Sequence, residues 1–111
     1  MRIHQENFAA DDADALAGSS LDQLEAGGQL DLFLVSTQAD TLVSITGPDA
    51  EPIATAIELP QVTAGLLLDI SAQPAFSLVV RTGGHYTINI DVVTAAVVQL
   101  VAIYRKRGVD F

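Results

Sequence analysis

The chain has 111 residues, half of them hydrophobic, a formal net charge of -9 and no cysteine. A chain of this length and hydrophobicity forms one domain with its own core, and its acidity disfavours nucleic acid as a partner because the two would repel each other. The absence of cysteine excludes disulfides, thiolate metal sites and cysteine nucleophiles.

The N-terminal segment, residues 1–28, is acidic and contains several glycines. No hydrophobic export signal follows Met1, so we expect synthesis in a cytoplasm. Low hydrophobicity and helix-breaking glycines predict an arm over residues 1–28 that is flexible or partly helical. The remainder, residues 29–111, is predicted to be the folded domain.

Within this arm, one local pattern favours a helix. Ser20 and Gln23 have the spacing of a capping box, and Gly27 is placed to end the turn. We therefore predict one or two helical turns from Leu21 to Ala26. The acidic run Asp11-Asp12-Ala13-Asp14 lacks the glycine and distal glutamate of a calcium loop and is interpreted as a solvated patch.

After the arm, apolar residues recur at every second position, which predicts strands. The residues predicted to share one face are Leu30, Leu32 and Leu34 on the first strand and Val43 and Ile45 on the second. A short loop over residues 37–40 would pair Leu34 with Val43 and Leu32 with Ile45, which keeps both apolar sets on one face.

Two further strands are predicted, Ile53 to Leu59 and Leu66 to Ser71, and prolines follow each of them. Short strands separated by turns at this spacing are typical of sandwiches and barrels. The predicted fold is therefore all-β: a small antiparallel β-sandwich or jelly-roll-like barrel of about seven or eight strands with an N-terminal arm.

Residues 76–91 are interpreted as a β-hairpin. A two-residue loop at the adjacent Gly83 and Gly84 would place polar residues opposite apolar ones on both faces of the hairpin. A three-residue loop over residues 82–84 avoids this conflict. The predicted cross-strand pairs are Val80 with Tyr86, Leu78 with Ile88, and Phe76 with Ile90.

The last predicted strand, Ala95 to Tyr104, is apolar on both faces. A two-layer sandwich needs only one inward face, so the arm or a partner chain must cover the second one. Val97, Val101 and Ile103 are therefore interface candidates. A buried strand is favoured over a membrane span, because the apolar run is too short for a helix that crosses a bilayer.

No catalytic site, cofactor site or metal site is predicted. His4 and His85 lack a companion at ligand spacing, and the proposed hairpin separates His85 from Ser77 and Asp91, the other members of a conceivable triad. His85 is interpreted as an exposed hairpin residue beside Arg81. The chain also lacks tryptophan, and an exposed aromatic platform for sugars is not expected.

Two further features are candidates for contacts with a partner. Phe8 is the lone aromatic of the arm and would either anchor it to a partner or fold back onto the body. Arg105, Lys106 and Arg107 form a basic cluster, which either solubilises the strand end or contacts an acidic partner surface.

The general design resembles that of head decoration, or cement, proteins of tailed bacteriophages. The resemblance covers the whole chain and rests on small size, the absence of cysteine, the acidic arm from Arg2 to Gly28 and the strand-rich body from Leu30 to Tyr104. It implies a protein that adds to an assembled capsid lattice, often as trimers whose arms clamp neighbouring major capsid subunits.

The leading hypothesis is thus a non-enzymatic structural protein that stabilises a viral shell. It would bind the major capsid protein and copies of itself, favouring a homotrimer, and would lie on the virion surface after synthesis in the host cytoplasm. One alternative is a small β-sandwich module that binds a glycan or a metabolite. Another is an enzyme or inhibitor whose site the sequence does not reveal.

Overall fold

A computed structural model describes residues 1–62, 74–92 and 96–108 of the chain. The strands in this part are β1 (Arg2–Phe8), β2 (Gly28–Ser36), β3 (Leu42–Thr46), β4 (Pro52–Glu58), β5 (Phe76–Val80), β6 (Thr87–Asp91) and β7 (Val98–Lys106). They form two antiparallel sheets with the orders β1-β7-β2-β5 and β4-β3-β6. The predicted β-sandwich is confirmed, while the strand predicted over residues 66–71 lies outside the described residues.

The core lies between the two sheets and is built from the alternating apolar residues. The inward side chains that are at most 2% exposed include Leu30, Leu32, Leu34, Val43, Ile45, Ile88, Ile90, Val98 and Leu100. The predicted alternation is therefore correct for these strands. Within the described ranges no helix is long and apolar enough to span a membrane.

The predicted pairing of the strand that carries Leu34 with the strand that carries Val43, now β2 and β3, is wrong. β2 pairs with β5 and β7, whereas β3 pairs with β4 and β6. Leu34 and Val43 therefore belong to opposite sheets and both contribute to the core between them. The connection between β2 and β3 crosses from one sheet to the other, which leaves the inward face of each strand unchanged.

The prediction of a β-hairpin over residues 76–91 is also wrong, because β5 and β6 belong to different sheets. Phe76 lies beside Leu32 of β2, and Ile88 lies beside Ile45 of β3. The connection over residues 81–86 again changes sheets instead of folding back as a tight turn. Gly84 in this connection has a φ of 140°, a backbone conformation that favours glycine.

The prediction of an N-terminal arm differs most from the structure. β1 pairs antiparallel with β7 along its whole length, from Arg2 beside Tyr104 to Phe8 beside Val98. Phe8 is buried and belongs to the main core cluster. The first residues are therefore an edge strand of the large sheet, because an antiparallel edge accepts a polar strand that keeps one face in water.

Residues 9–27, called the bridging segment below, connect β1 to β2 and contact both sheets. The backbone N–H of Ala15 donates to the carbonyl of Ile88 at 2.9 Å, and that of Leu24 donates to Gly84 at 2.8 Å. Leu16 and Leu21 are fully buried in the core. The helical turns predicted from Leu21 to Ala26 are not formed; the segment is a series of turns and single bridges.

Candidate interaction surfaces

The second apolar face of β7 forms a small cluster on the outer side of the large sheet. Val101 and Ile103 pack there with Phe33 of β2, and the three residues are only 6%, 6% and 7% exposed. Val97, just before β7, is 38% exposed. Of the three predicted interface residues on this strand, Val101 and Ile103 thus have little surface left for a partner, because the single chain already buries them.

Phe8, the predicted arm anchor, also lacks an exposed surface. Its side chain is 5% exposed and packs in the core between the sheets. The second of the two expectations for this residue, folding back onto the body, describes its position. A partner would reach Phe8 only if β1 left the sheet.

The predicted basic cluster is divided by ion pairs within the chain. Arg105 Nη1 lies 3.3 Å from Asp31 Oδ2, and the Lys106 ammonium pairs with the Glu25 carboxylate. This hydrogen bond lowers the pKa of Glu25 and raises that of Lys106. Arg107 is exposed, and its backbone N–H donates to Gly27 at 3.2 Å. The cluster therefore ties β7 to its neighbours, which reduces its availability as a cationic patch.

Asp31 is a buried carboxylate on the outer side of the large sheet. It is 7% exposed and accepts hydrogen bonds from the Ser77 hydroxyl at 2.6 Å and from Gln29 Nε2 at 2.9 Å. Together with Arg105 these donors compensate the cost of removing the charge from water. Ser77 is thus engaged with Asp31 instead of His85, and the triad considered above is not assembled.

The described residues leave a groove between the edge strands β4 and β5, which belong to different sheets. The β4–β5 groove has a volume of about 430 Å³ and is lined in part by Glu51, Ile53, Leu78, Val79, Arg81 and Tyr86. Val79 is 65% exposed and Ile53 is 39% exposed. Large apolar side chains on a groove wall are a feature of binding surfaces.

Tyr86 at the groove is held rigidly. Its hydroxyl donates to the backbone carbonyl of Thr82 at 3.0 Å, and its ring is almost entirely buried. Burial raises the pKa of Tyr86. The ring therefore lines the groove as a buried side chain and does not offer a flat aromatic surface for stacking.

The most concentrated group of titratable side chains surrounds His85. Its Nδ1 lies 2.6 Å from the Asp22 backbone oxygen and 2.7 Å from Asp22 Oδ1. Its Nε2 lies 2.7 Å from both carboxylate oxygens of Asp14. The expectation of an exposed residue beside Arg81 is therefore wrong, because the side chain of His85 is 24% exposed and is enclosed by two aspartates.

The hydrogen bond to the Asp22 carbonyl and the Asp14 carboxylate raise the pKa of His85, against an opposing effect of partial burial. The sequence contained only an indirect signal for this group, namely the acidic run that includes Asp14. In the described part of the chain no group of three or more His, Cys, Asp or Glu side chains is placed to hold a metal ion.

Comparison of the chain with known protein families, with characterised proteins and with solved structures finds no match. No family is therefore assigned to it. The features that bear on function are the β4–β5 groove, the neighbouring exposed apolar residues and the acidity of the chain.

Proposed function

We propose that the chain is a non-enzymatic structural protein that binds a viral capsid lattice and stabilises it, as an oligomer on the virion surface. The observation that carries the proposal is the β4–β5 groove, with Val79 and Ile53 exposed on its walls. Exposed apolar residues that gather around one groove support a contact surface for another protein. The partner would be the major capsid protein.

The mode of attachment differs from clamping by a free arm. β1 is paired with β7, and the bridging segment is tied to β6 and to the connection before it. A rigid body that presents a preformed groove loses little conformational entropy when it binds. We therefore place the lattice contact on the body of the sandwich.

Charge would guide this association. A chain with a net charge of -9 is attracted to a basic surface over a distance of about 10 Å at ordinary salt concentration. The capsid contact would then have an apolar centre that fits the groove and a basic rim. This charge complementarity accelerates encounter more than it increases the final affinity.

A single shallow groove gives a modest affinity, which an oligomer on a repeating lattice would multiply. A homotrimer carries one groove per copy, and the second and third contacts form at a high effective concentration. We therefore favour a trimer. Light scattering of the purified chain tests this part of the proposal, and a monomer at all concentrations would contradict it.

The decisive experiment has two steps. The genome that encodes the chain is searched for a neighbouring major capsid gene, and the chain is then co-sedimented with empty shells of that capsid protein. We expect the unaltered chain to pellet with the shells, and Val79→Asp and Ile53→Asp to lose binding by about tenfold or more, since each buries a charge in the contact. Ile3→Asp is the matched control, because Ile3 is an exposed apolar residue on β1, at the opposite edge of the large sheet.

Three results would overturn the proposal. One is a gene that lies apart from capsid and portal genes. Another is a chain that does not pellet with the shells. The third is equal loss of binding in Val79→Asp and Ile3→Asp, which would remove the groove from the contact.

A second candidate function is a small module that binds a glycan or metabolite in the same groove, whose volume is within the range of small-molecule sites. It has less support, because Tyr86 and Tyr104 are both buried and offer no stacking surface. Binding of a glycan array or a metabolite set that Val79→Asp abolishes would favour it over the capsid proposal.

A further inference from the structure

The contacts of His85 require a proton on each of its two ring nitrogens. Both ring nitrogens face oxygen acceptors: Nδ1 faces the carbonyl and carboxylate of Asp22, and Nε2 faces the carboxylate of Asp14, at 2.6 to 2.7 Å. A neutral imidazole carries only one N–H, so it can donate in one direction only. All these contacts are satisfied together only by the imidazolium.

The ring joins two parts of the fold that are far apart in the chain. Asp14 and Asp22 belong to the bridging segment, whereas His85 belongs to the connection that crosses from β5 to β6. Immediately beside it, Leu24 and Gly84 exchange two backbone hydrogen bonds, each of 2.8 Å. His85 therefore lies where the bridging segment is fastened to the sandwich.

We propose that His85 is a protonation-controlled latch, which holds the bridging segment against the sandwich when the ring is doubly protonated and loosens it when the ring is neutral. The latch is independent of the capsid proposal, since it rests on a different part of the molecule. Loosening would uncover Leu16, Leu21 and Leu24, which the segment contributes to the core.

The charges around the ring set the direction of the effect. Asp14 and Asp22 both favour the charged ring. Arg81 lies on the same connection as His85, but it is not among the groups that shift the pKa of the ring. The other aspartates of the bridging segment are bound elsewhere: Asp11 Oδ1 accepts from the Val92 N–H, and Asp12 Oδ1 accepts from the Asp14 N–H. The raised pKa of His85 agrees with this geometry and places loosening on the alkaline side of the ordinary histidine value, 6.5.

The first test follows the ring directly by proton NMR. The variant His4→Gln leaves His85 as the single histidine, and its imidazole signals are titrated in the folded chain and in concentrated urea. We expect a higher midpoint in the folded chain, and a lower folded midpoint when Asp14→Asn is added. Asp40→Asn, a change of equal charge on the turn between β2 and β3, should leave the midpoint in place. A folded midpoint at or below the urea value would overturn the proposal.

The second test follows the segment by hydrogen exchange. The protection of the Leu24 and Gly84 amides should fall as the pH rises, by a total factor of about ten for each pH unit by which folding raises the midpoint. Amides of the β2–β7 ladder should remain more strongly protected than these two at every pH, because they exchange only through larger openings. In Asp14→Asn and in His85→Gln the pH-dependent part should be reduced. Protection at Leu24 and Gly84 that is equal below and above the midpoint would contradict the latch.

Discussion

The ring of Tyr104 lies directly on Gly28, so that a methyl group at Gly28 would place its carbon 2.5 Å from Tyr104 Cζ. The ring has little freedom to move away. Its hydroxyl donates to the Glu25 carbonyl, and the guanidinium carbon of Arg2 lies 4.9 Å from the ring centre. The glycine is thus required by the neighbouring strand, where the aromatic side chain occupies the space that a Cβ would need.

We therefore predict that Gly28→Ala lowers the free energy of unfolding by about 1–3 kcal/mol, the usual cost of overpacking. Urea denaturation measures it. The same substitution in a Tyr104→Val background should cost much less, since the ring is gone, and a cycle of the four proteins isolates the clash. Equal costs in both backgrounds would show that the contact with Tyr104 is not the cause.

A second prediction tests whether β1 is part of the core. Phe8→Ala should lower the free energy of unfolding by about 3–5 kcal/mol, because it leaves a cavity between the sheets. Ile3→Ala, on the exposed face of the same strand, should change it by less than about 0.5 kcal/mol. Thermal denaturation of both variants compares their stabilities. A Phe8→Ala chain as stable as Ile3→Ala would show that β1 is not part of the core.

A third prediction concerns the buried carboxylate of Asp31. Asp31→Ala should destabilise the chain by about 1–3 kcal/mol, since Ser77 and Gln29 lose their acceptor and Arg105 loses its partner. Asp49→Ala, on an exposed turn, removes the same charge without such contacts. The stabilities of the two variants at one salt concentration are compared by urea denaturation; an equal effect would assign the loss to net charge alone.

A fourth prediction follows from the raised pKa of His85. A group whose pKa is raised by folding stabilises the folded chain fully below its unfolded pKa, and this contribution is lost as the pH rises through the folded pKa. The free energy of unfolding should therefore decline on the alkaline side of 6.5, the ordinary value. Urea titrations near pH 6 and pH 9 should show a smaller decline in His85→Gln; identical declines would attribute the pH dependence to other groups.

The sequence was sufficient to predict which residues face the core, but insufficient to predict which strands pair. Leu30, Leu32, Val43 and Ile45 are inward as expected, yet β2 and β3 belong to opposite sheets. Alternation reports only which side of a strand is apolar. Two consecutive strands satisfy it equally well as neighbours in one sheet or as opposite walls of a sandwich.

The N-terminal segment and the His85 site were predicted incorrectly for a different reason. From Arg2 to Asn7 the residues are mostly polar, and the strand exists because β7 offers an edge that pairs with it along its whole length. Likewise, His85 meets Asp14 and Asp22 across separations of 71 and 63 residues. Such contacts are set by tertiary packing and leave no periodic pattern in the sequence.

The pairing of β1 with β7 has a consequence for how the protein is made. β1 finds its partner only after residue 106 has been synthesised, so it stays unpaired while all the strands between them are made. Long-range pairings of this kind form slowly and expose unpaired edges to other chains. Crowded synthesis of many copies would therefore favour exchange of β1 between neighbours, and the yield of correctly closed protein should depend on expression rate and temperature.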